Sequence, residues 1–349
     1  MKKKIDIRQL SLEQLTDEIV KLGEKPYRAK QVHQWLWKKR AIDFDQMTNL
    51  SKSFRKVIEN NFIINALVLS EAQISSDKTI KNAFLLADNS VIEGVLIPTK
   101  KRMTACVSVQ VGCSLDCAFC ATGKLKRIRN LNADEIYDQV VMINDQSQKE
   151  YSIPISNIVY MGMGEPLLNY KNVLLSVDRI TSEDGLGMSA KRITISTAGI
   201  HKKIIRLADD KVKFNLALSL HAANDEKRNK IMPINESNSL NSLKEAMIYF
   251  SEMTGTRPTL EYIIFKDFND EISDAEELVQ FAKSFPSKIN IIEYNSIDEG
   301  KYQQATVKKV DAFASYLESK NLIVNIRRSR GKDIDAACGQ LANKNELAR

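Results

Sequence analysis

The sequence predicts an α/β fold in which a parallel sheet, open or rolled into a partial barrel, follows a small helical N-terminal domain. Three observations support this prediction. The first 62 residues have apolar side chains at helical spacing, and residues 63–98 carry short β-branched runs between turn-forming residues. From about residue 104 such runs alternate with helical patterns, and repeated βα units of this kind build parallel sheets.

Residues 1–62 are expected to form a helical accessory domain. In the segment SLEQLTDEIVKLG the leucine and isoleucine residues recur at helical spacing, and Ser11 with Gln14 resembles a capping box. The next helical segment, PYRAKQVHQWLWKKR, contains Trp35 and Trp37. Both are candidates for stacking on a base, although packing in a core is the simpler role. Nothing in this domain indicates catalysis.

Residues 63–98 are expected to be a β-rich extension that connects the helical domain to a core domain, residues 99–349. The predicted strands of the core domain are TACVSVQV, NIVYMG, RITISTA, KFNLALSLH, TLEYIIF, INIIEYN and LIVNIRR, with helices such as NADEIYDQVVMIN between them. In parallel barrels the chemistry lies at the C-terminal ends of the strands. Residues that directly follow these runs are therefore candidates for a functional site.

Composition and charge limit the possible classes of protein. Hydrophobic residues make up 43% and charged residues 27% of the 349 residues, as in ordinary soluble proteins, and a net charge of +7 suits a polyanion such as RNA. Neither a secretory signal nor a run of roughly 18 apolar residues is evident, so we expect a cytoplasmic protein that does not enter membranes. We also expect a monomer. Five cysteines in a reducing compartment indicate metal or redox chemistry.

The strongest local signal is the run of Cys113, Cys117 and Cys120 in a loop directly after a predicted strand. Iron–sulfur clusters normally take four cysteine thiolates, so three leave one iron open to bind a cofactor. A structural zinc site usually needs four cysteine or histidine ligands, and none of the three histidines has close ligand spacing. The pattern therefore favours a cluster over zinc.

This spacing, with an aromatic residue before the last cysteine, resembles the radical S-adenosylmethionine (radical SAM) superfamily. The resemblance implies that the open iron binds the amino and carboxylate groups of S-adenosylmethionine, which one electron then cleaves to a 5′-deoxyadenosyl radical. Residues at the ends of successive strands, in MGMGEP, ISTAG, LSLH and EYNS, would then contact the cofactor. These predicted cofactor-binding residues are Gly164, Glu165, Ser196, Ser219, Leu220, His221 and Asn295.

The full set of motifs, from Cys106 through LSLHAANDEKRNKIMPIN to DIDAACGQL, is similar to the RlmN/Cfr family over about residues 90–342. The resemblance implies a partial (β/α)6 radical SAM barrel with one 4Fe–4S cluster, and two S-adenosylmethionine molecules per turnover. It also implies methylation of carbon-2 of adenosine 2503 in 23S rRNA and of adenosine 37 in tRNA. The expected electron donor is a flavodoxin-type reductant.

The resemblance implies a ping-pong mechanism that uses the cysteines outside the cluster. Cys338 takes a methyl group and becomes S-methylcysteine, and the radical removes hydrogen from that methyl group. The resulting methylene radical adds to carbon-2, and Glu93, in VIEGV, removes the carbon-2 proton. Cys106 then attacks the sulfur of Cys338, which forms a disulfide bond and releases the RNA. An external reductant reopens the disulfide.

Two basic groups flank the proposed site, where RNA phosphates would lie. Either group could also be a solvated face, and the target base must be unstacked to enter a pocket. The first group follows the cluster loop and the second precedes the Cys338 segment. They are Lys124, Lys126, Arg127 and Arg129, and Arg327, Arg328, Arg330 and Lys332.

Three alternatives stay open at this point. A carbon-8 adenine methyltransferase of the Cfr branch has the same cysteines, but here Pro166 follows Glu165, as in the carbon-2 branch. A non-catalytic RNA-binding protein with a structural cluster or zinc would not need Cys106, Cys338 or this turn. A radical enzyme for small molecules or proteins fits poorly with the basic surplus and with DIDAACGQL.

Overall fold

The computed structural model describes residues 4–100, 102–298 and 300–343. Its N-terminal part is helical, as predicted, and the capping box of Ser11 and Gln14 is present at the first helix. Two short parallel strands close this domain. Its elements are β1 (Ile5–Asp6), α1 (Leu12–Lys21), α2 (Tyr27–Trp37), α3 (Lys52–Asn61) and β2 (Phe62–Ile63).

An antiparallel meander follows, formed by β3 (Val68–Ile74), β4 (Ile80–Leu85) and β5 (Val91–Pro98). Strand β5 pairs with β6 (Met103–Cys106), the first strand of the parallel part. The residues expected to be a connecting extension therefore continue the central sheet. Nearly every side chain of β4 and β5 is buried, which places polar residues of these strands inside the protein.

The parallel part is a succession of βα units, as the sequence predicts. Within the described residues one sheet has the order β14-β13-β12-β11-β10-β9-β6-β5-β4-β3, and its two edge strands do not pair, so the barrel is open. The strands β6 and β9 to β14 run parallel. The remaining elements are β7 (Gln110–Val111), β8 (Arg129–Asn130), α4 (Ala133–Tyr151), β9 (Asn157–Tyr160), α5 (Tyr170–Thr181), β10 (Ile193–Thr197), α6 (His201–Asp209), β11 (Asn215–Ser219), α7 (Asp225–Ile231), α8 (Leu240–Thr254), β12 (Thr259–Ile264), α9 (Ile272–Ala282), β13 (Lys288–Glu293), α10 (Val307–Ser319) and β14 (Val324–Arg327).

The helical domain is fixed to α4 and α5 by buried charges and rings. Arg8, which is 7% exposed, forms ion pairs with Asp134 at 3.2 Å and Asp138 at 2.7 Å. Trp37 is buried against Tyr137, with ring centroids 5.5 Å apart. Trp37 therefore has the packing role that the sequence made the simpler one.

The second predicted stacking residue, Trp35, is partly buried beside the core of the helical domain. Its indole N–H donates to Asn49, and the ammonium of Lys39 lies 3.8 Å from the ring centroid.

Among the described residues, no helix combines the length and the apolar character that a membrane crossing requires.

Candidate active site

A cavity of about 160 Å³ opens at the C-terminal ends of the parallel strands. Its wall brings together residues that lie more than two hundred positions apart in the sequence, because each follows a strand of the same sheet or belongs to a loop above it. The predicted site residues on this wall are Cys113, Cys117, Cys120, Gly164, Glu165, Ser196, Ser219, His221 and Cys338.

The three cysteines lie in a loop between β7 and β8 that folds back over the barrel. Gly112 starts it with φ +73°, and a Cβ there would lie 2.2 Å from the Lys126 carbonyl oxygen, so only glycine fits. The backbone N–H of Ala118 donates to the carbonyl of Ile231 at 2.9 Å, which ties the loop to the end of α7. The loop thus directs its thiols towards the cavity.

The donor set of this loop fits an iron–sulfur cluster with one open iron. Cys113, Cys117 and Cys120 line the same cavity, and in such a cluster each of three thiolates binds a different iron. Burial raises the pKa of Cys113 to about 11 and also raises the pKa of Cys117 and Cys120. Thiolates at these positions therefore need a cationic metal beside them.

The MGMGEP turn joins the end of β9 to the rest of the site. Gly164 has φ +96°, and a Cβ there would lie 2.5 Å from the Gln110 side chain. The buried Glu165 carboxylate accepts hydrogen bonds from Leu167 N at 2.9 Å, Thr197 Oγ1 at 2.8 Å and Ala198 N at 2.8 Å. Glu165 lies on the cavity wall, and its carboxylate also holds the turn against the end of β10.

Polar residues at the ends of β10 and β11 form the opposite wall. The hydroxyls of Ser196 and Ser219 lie 3.2 Å apart. His221 has φ +57°, and its Nδ1 accepts from the Ile263 N–H at 3.1 Å. Burial, assisted by Arg228, lowers the pKa of His221 to about 3, so this imidazole is neutral at physiological pH. It therefore offers hydrogen bonds without charge.

Two of the predicted cofactor contacts lie beside the cavity, not on its wall. The Leu220 N–H donates to the Glu261 carbonyl at 3.0 Å, and the Leu220 carbonyl accepts from Arg228 at 3.0 Å. The Asn295 amide donates to the backbone carbonyl of Cys338 at 3.2 Å. Leu220 and Asn295 therefore support the residues that line the cavity.

Cys338 lies in a loop that is hydrogen-bonded to the cluster loop. The Ala121 N–H donates to the Gly339 carbonyl at 2.7 Å, and the Thr122 hydroxyl donates to the Leu341 carbonyl at 2.6 Å. The Cys338 side chain is exposed, and its thiol is free. This loop, residues 331–343, is called the carrier segment below. Its contacts hold Cys338 beside the cluster cysteines.

Cys106 is the buried counterpart of Cys338. It lies at the end of β6 and is a free thiol, 8% exposed. Burial raises its pKa to about 12, the nearby Cys338 adds to this rise, and Arg327 opposes it.

Glu93 lies off the cavity wall, as Cys106 does. It is 1% exposed on β5, and its carboxylate accepts backbone N–H bonds from the end of the carrier segment.

The predicted basic group that precedes Cys338 is paired with carboxylates, and the phosphate contacts stay a prediction. Arg327 pairs with Glu261 at 2.9 Å on the cavity wall, and Arg328 pairs with Glu293 at 2.6 Å. In the first basic group Lys124, Lys126 and Arg127 are exposed, and the following Arg129 pairs with Asp88 and Glu135. In the group that precedes Cys338, Arg330 also pairs with Asp77, and Lys332 pairs with Glu293.

The sequence did not predict a network of hydrogen-bonded polar side chains on the cavity wall. Glu261, 3% exposed in β12, accepts from Arg327 at 2.9 Å and from the Asn290 amide at 2.8 Å. The Arg327 guanidinium also lies 3.9 Å from the Met161 sulfur. The one available signal was a lone carboxylate inside the apolar run TLEYIIF, since an unpaired charge is rarely buried there.

Comparisons with known proteins match most of the chain. The family model for the ribosomal RNA large subunit methyltransferase N-terminal domain matches residues 5–64, and the radical SAM superfamily model matches residues 107–282.

Curated relatives share most of the sequence. A protein of Cytophaga hutchinsonii called "Probable dual-specificity RNA methyltransferase RlmN" is 59% identical over 98% of this chain and 94% of the relative. A protein of the same name from Fervidobacterium nodosum is 42% identical over 97% of both chains. The crystal structure of a radical SAM methyltransferase from Sphaerobacter thermophilus superimposes with a TM-score of 0.91 at 36% identity, over 97% of this chain and 99% of that chain.

Proposed function

This chain belongs to the RlmN family of radical SAM RNA methyltransferases, and from that premise we propose that it methylates carbon-2 of adenosine 2503 in 23S rRNA and of adenosine 37 in tRNA. The relatives are called dual-specificity enzymes, which supports two RNA substrates. Family membership also makes the chain an enzyme, so the non-catalytic RNA-binding alternative is wrong.

The observation that carries the proposal is the common cavity of Cys338 and the three loop cysteines. A methyl group on the Cys338 sulfur would lie in the same cavity as a cofactor bound at the loop. Carbon-2 of adenine is too electron-poor to attack the methyl group of S-adenosylmethionine directly. Transfer of a methyl group from a protein sulfur to this carbon therefore requires a radical source in the same cavity.

Three cysteines, Cys113, Cys117 and Cys120, would hold one 4Fe–4S cluster. When bound, the cluster and S-adenosylmethionine supply a carbon radical that removes a hydrogen atom from a methyl group. The neutral His221 and the hydroxyls of Ser196 and Ser219 would orient the adenosyl and methionyl groups through hydrogen bonds. These side chains lie at strand ends, and the rigid sheet keeps their positions fixed.

Cys338 and Cys106 would carry out the two sulfur steps. The exposed Cys338 thiol would lose its proton, and the thiolate would attack the methyl carbon of one S-adenosylmethionine. The new S–CH3 bond forms as the bond from the methyl group to the sulfonium sulfur breaks, and S-adenosylhomocysteine leaves as a neutral thioether. After the methylene carbon has joined the base, the adduct would return one electron to the cluster and lose the carbon-2 proton. The Cys106 thiolate would then attack the Cys338 sulfur, and the carbon would leave with the bonding electron pair and take up a proton to become the new methyl group. The resulting disulfide needs two electrons from an external, flavodoxin-type reductant before the next turnover.

Glu93 would be the base that removes the carbon-2 proton. Its carboxylate is buried beside the carrier segment, with the Lys81 ammonium 3.6 Å away. The carbon-8 branch remains the second candidate for the modified position, and Pro166 after Glu165 favours carbon-2.

The test is product analysis after anaerobic reconstitution with iron, sulfide and a reductant. The enzyme is incubated with methyl-labelled S-adenosylmethionine and either a 23S rRNA fragment or tRNA, and the digested nucleosides are analysed by mass spectrometry. We expect labelled 2-methyladenosine with both RNAs and none with Cys338→Ala. Labelled 8-methyladenosine would move the chain to the other branch. Absence of both products from an enzyme that still cleaves S-adenosylmethionine would contradict the RNA substrate.

A further inference from the structure

Glu93 makes contacts that a free catalytic base would not make. Its Oε2 accepts the backbone N–H of Ala342 at 2.8 Å and that of Asn343 at 3.1 Å. The Asn343 side-chain amide donates to the Val91 carbonyl on the same strand at 2.8 Å. The end of the carrier segment is therefore bound to β5, with the Glu93 carboxylate between them. Hydrogen bonds to an ionised carboxylate are stronger than those between neutral groups.

These contacts hold Cys338 from its C-terminal side. On the cluster side, the segment is held at the carbonyls of Gly339 and Leu341. Beyond Leu341, within the described residues, the hydrogen bonds to the barrel are those of Glu93 and Val91. The Lys81 ammonium, on the neighbouring strand β4, balances the buried charge of Glu93. Glu93 is therefore a residue of the sheet that is also hydrogen-bonded to the carrier segment.

We propose that Glu93 is a positioning residue that anchors the carrier segment beside the cluster loop, and that the oxygen that holds the segment, Oε2, becomes available as a base only when residues 342–343 leave it. The second half of this proposal rests on the proposed function, whereas the anchor does not. An oxygen that already accepts two N–H bonds has little capacity left to accept a proton. Departure of the segment from Glu93 would therefore couple movement of Cys338 to proton removal.

Four variants separate the anchor from the base. Glu93→Ala removes both the acceptor and the charge, whereas Glu93→Gln keeps an amide oxygen that can accept the same N–H bonds. Ala342→Pro removes one of the donors without changing Glu93, and Ala342→Gly is its matched control, because glycine keeps the N–H. The full-length protein is used throughout.

The first readout is amide hydrogen exchange of a peptide covering residues 335–343, which does not depend on activity. We expect exchange to be about tenfold faster in Glu93→Ala and Ala342→Pro, and to change by about threefold or less in Glu93→Gln and Ala342→Gly. Wild-type exchange in Ala342→Pro would overturn the anchor, whatever Glu93→Ala does, because that variant removes the hydrogen bond directly.

The second readout is labelling of Cys338 by methyl-labelled S-adenosylmethionine in the reconstituted enzyme without RNA. We expect the initial rate to fall about tenfold in Ala342→Pro and to be unchanged in Ala342→Gly, because a released segment rarely holds Cys338 in the cavity. Equal rates in the two variants would contradict the positioning role. A wild-type enzyme that never labels Cys338 would contradict the proposed function, and the exchange measurement would still decide the anchor.

Discussion

The helical domain and the carrier segment are both attached to the same barrel, but by different kinds of contact. The helical domain is held by Arg8 between buried carboxylates and by Trp37 packed on Tyr137. The carrier segment is held mainly by hydrogen bonds to backbone groups, and its cysteine is exposed. This difference indicates that the carrier segment can move more easily than the helical domain. Separating buried ion partners leaves charges out of water, whereas a lifted loop exchanges its hydrogen bonds for bonds to water.

The largest effect is expected at the helical domain. Arg8→Met leaves Asp6, Asp134 and Asp138 without their shared cation, and we expect the free energy of unfolding to fall by about 3–5 kcal/mol. Chemical denaturation followed by circular dichroism measures this change. Lys21→Met, which removes an exposed pair with Glu18, serves as the control and should leave the unfolding curve unchanged. An unchanged curve for Arg8→Met would mean that the ionic contact does not hold the domain.

A pH effect is expected at the same interface. Burial and the neighbouring Arg179, 2.8 Å away, lower the pKa of His33 to about 4. An unfolded histidine titrates near 6.5. Between these values the unfolded chain binds a proton that the folded chain does not, so stability falls as the pH drops from about 6.5 to 4. After screening by solvent we expect a loss of about 1–2 kcal/mol.

Denaturation curves measured across this pH range test the His33 prediction. His33→Gln should reduce the pH dependence by the about 1–2 kcal/mol assigned to His33, because glutamine does not titrate, and the part due to the buried His221 should remain. His201→Gln, at a histidine outside this interface, should leave it in place. An unchanged slope in His33→Gln would contradict the contribution of His33.

The smallest effect on global stability is expected in the carrier segment. Thr122→Val removes the hydroxyl that donates to the buried Leu341 carbonyl, and we expect a loss of about 1 kcal/mol, because local opening of the carrier segment lets water reach the freed carbonyl. Exchange of the peptide covering residues 335–343 should nevertheless become several times faster. Thr16→Val removes a similar bond to Leu12 in the helical domain and should not change that peptide. If both variants changed the exchange of this peptide equally, the carrier segment would not be held by local hydrogen bonds of its own.

The sequence was informative where a local pattern determines the outcome. Alternating β-branched and helical runs predicted the parallel sheet, and the spacing of Cys113, Cys117 and Cys120 located the cluster loop. Contacts that depend on how distant segments meet were not predictable. Glu93 and Ala342 are 249 positions apart, and nothing near Glu93 indicates its partner.

The basic residues show the same limit. Their number predicted an RNA-binding surface, but charge alone does not reveal pairing. The acidic partners of Arg327 and Arg328, Glu261 and Glu293, lie on β12 and β13. Only the order and register of β12, β13 and β14 bring these charges together, and both are properties of the folded sheet.

The most direct test of the account asks whether the carbon delivered to RNA has first been on Cys338. The reconstituted enzyme is loaded with carbon-13 methyl-labelled S-adenosylmethionine without RNA, freed of small molecules, and then given RNA, a reductant and unlabelled S-adenosylmethionine. We expect the 2-methyladenosine of the first turnover to carry carbon-13. A first product that carries only unlabelled carbon would contradict Cys338 as the methyl carrier.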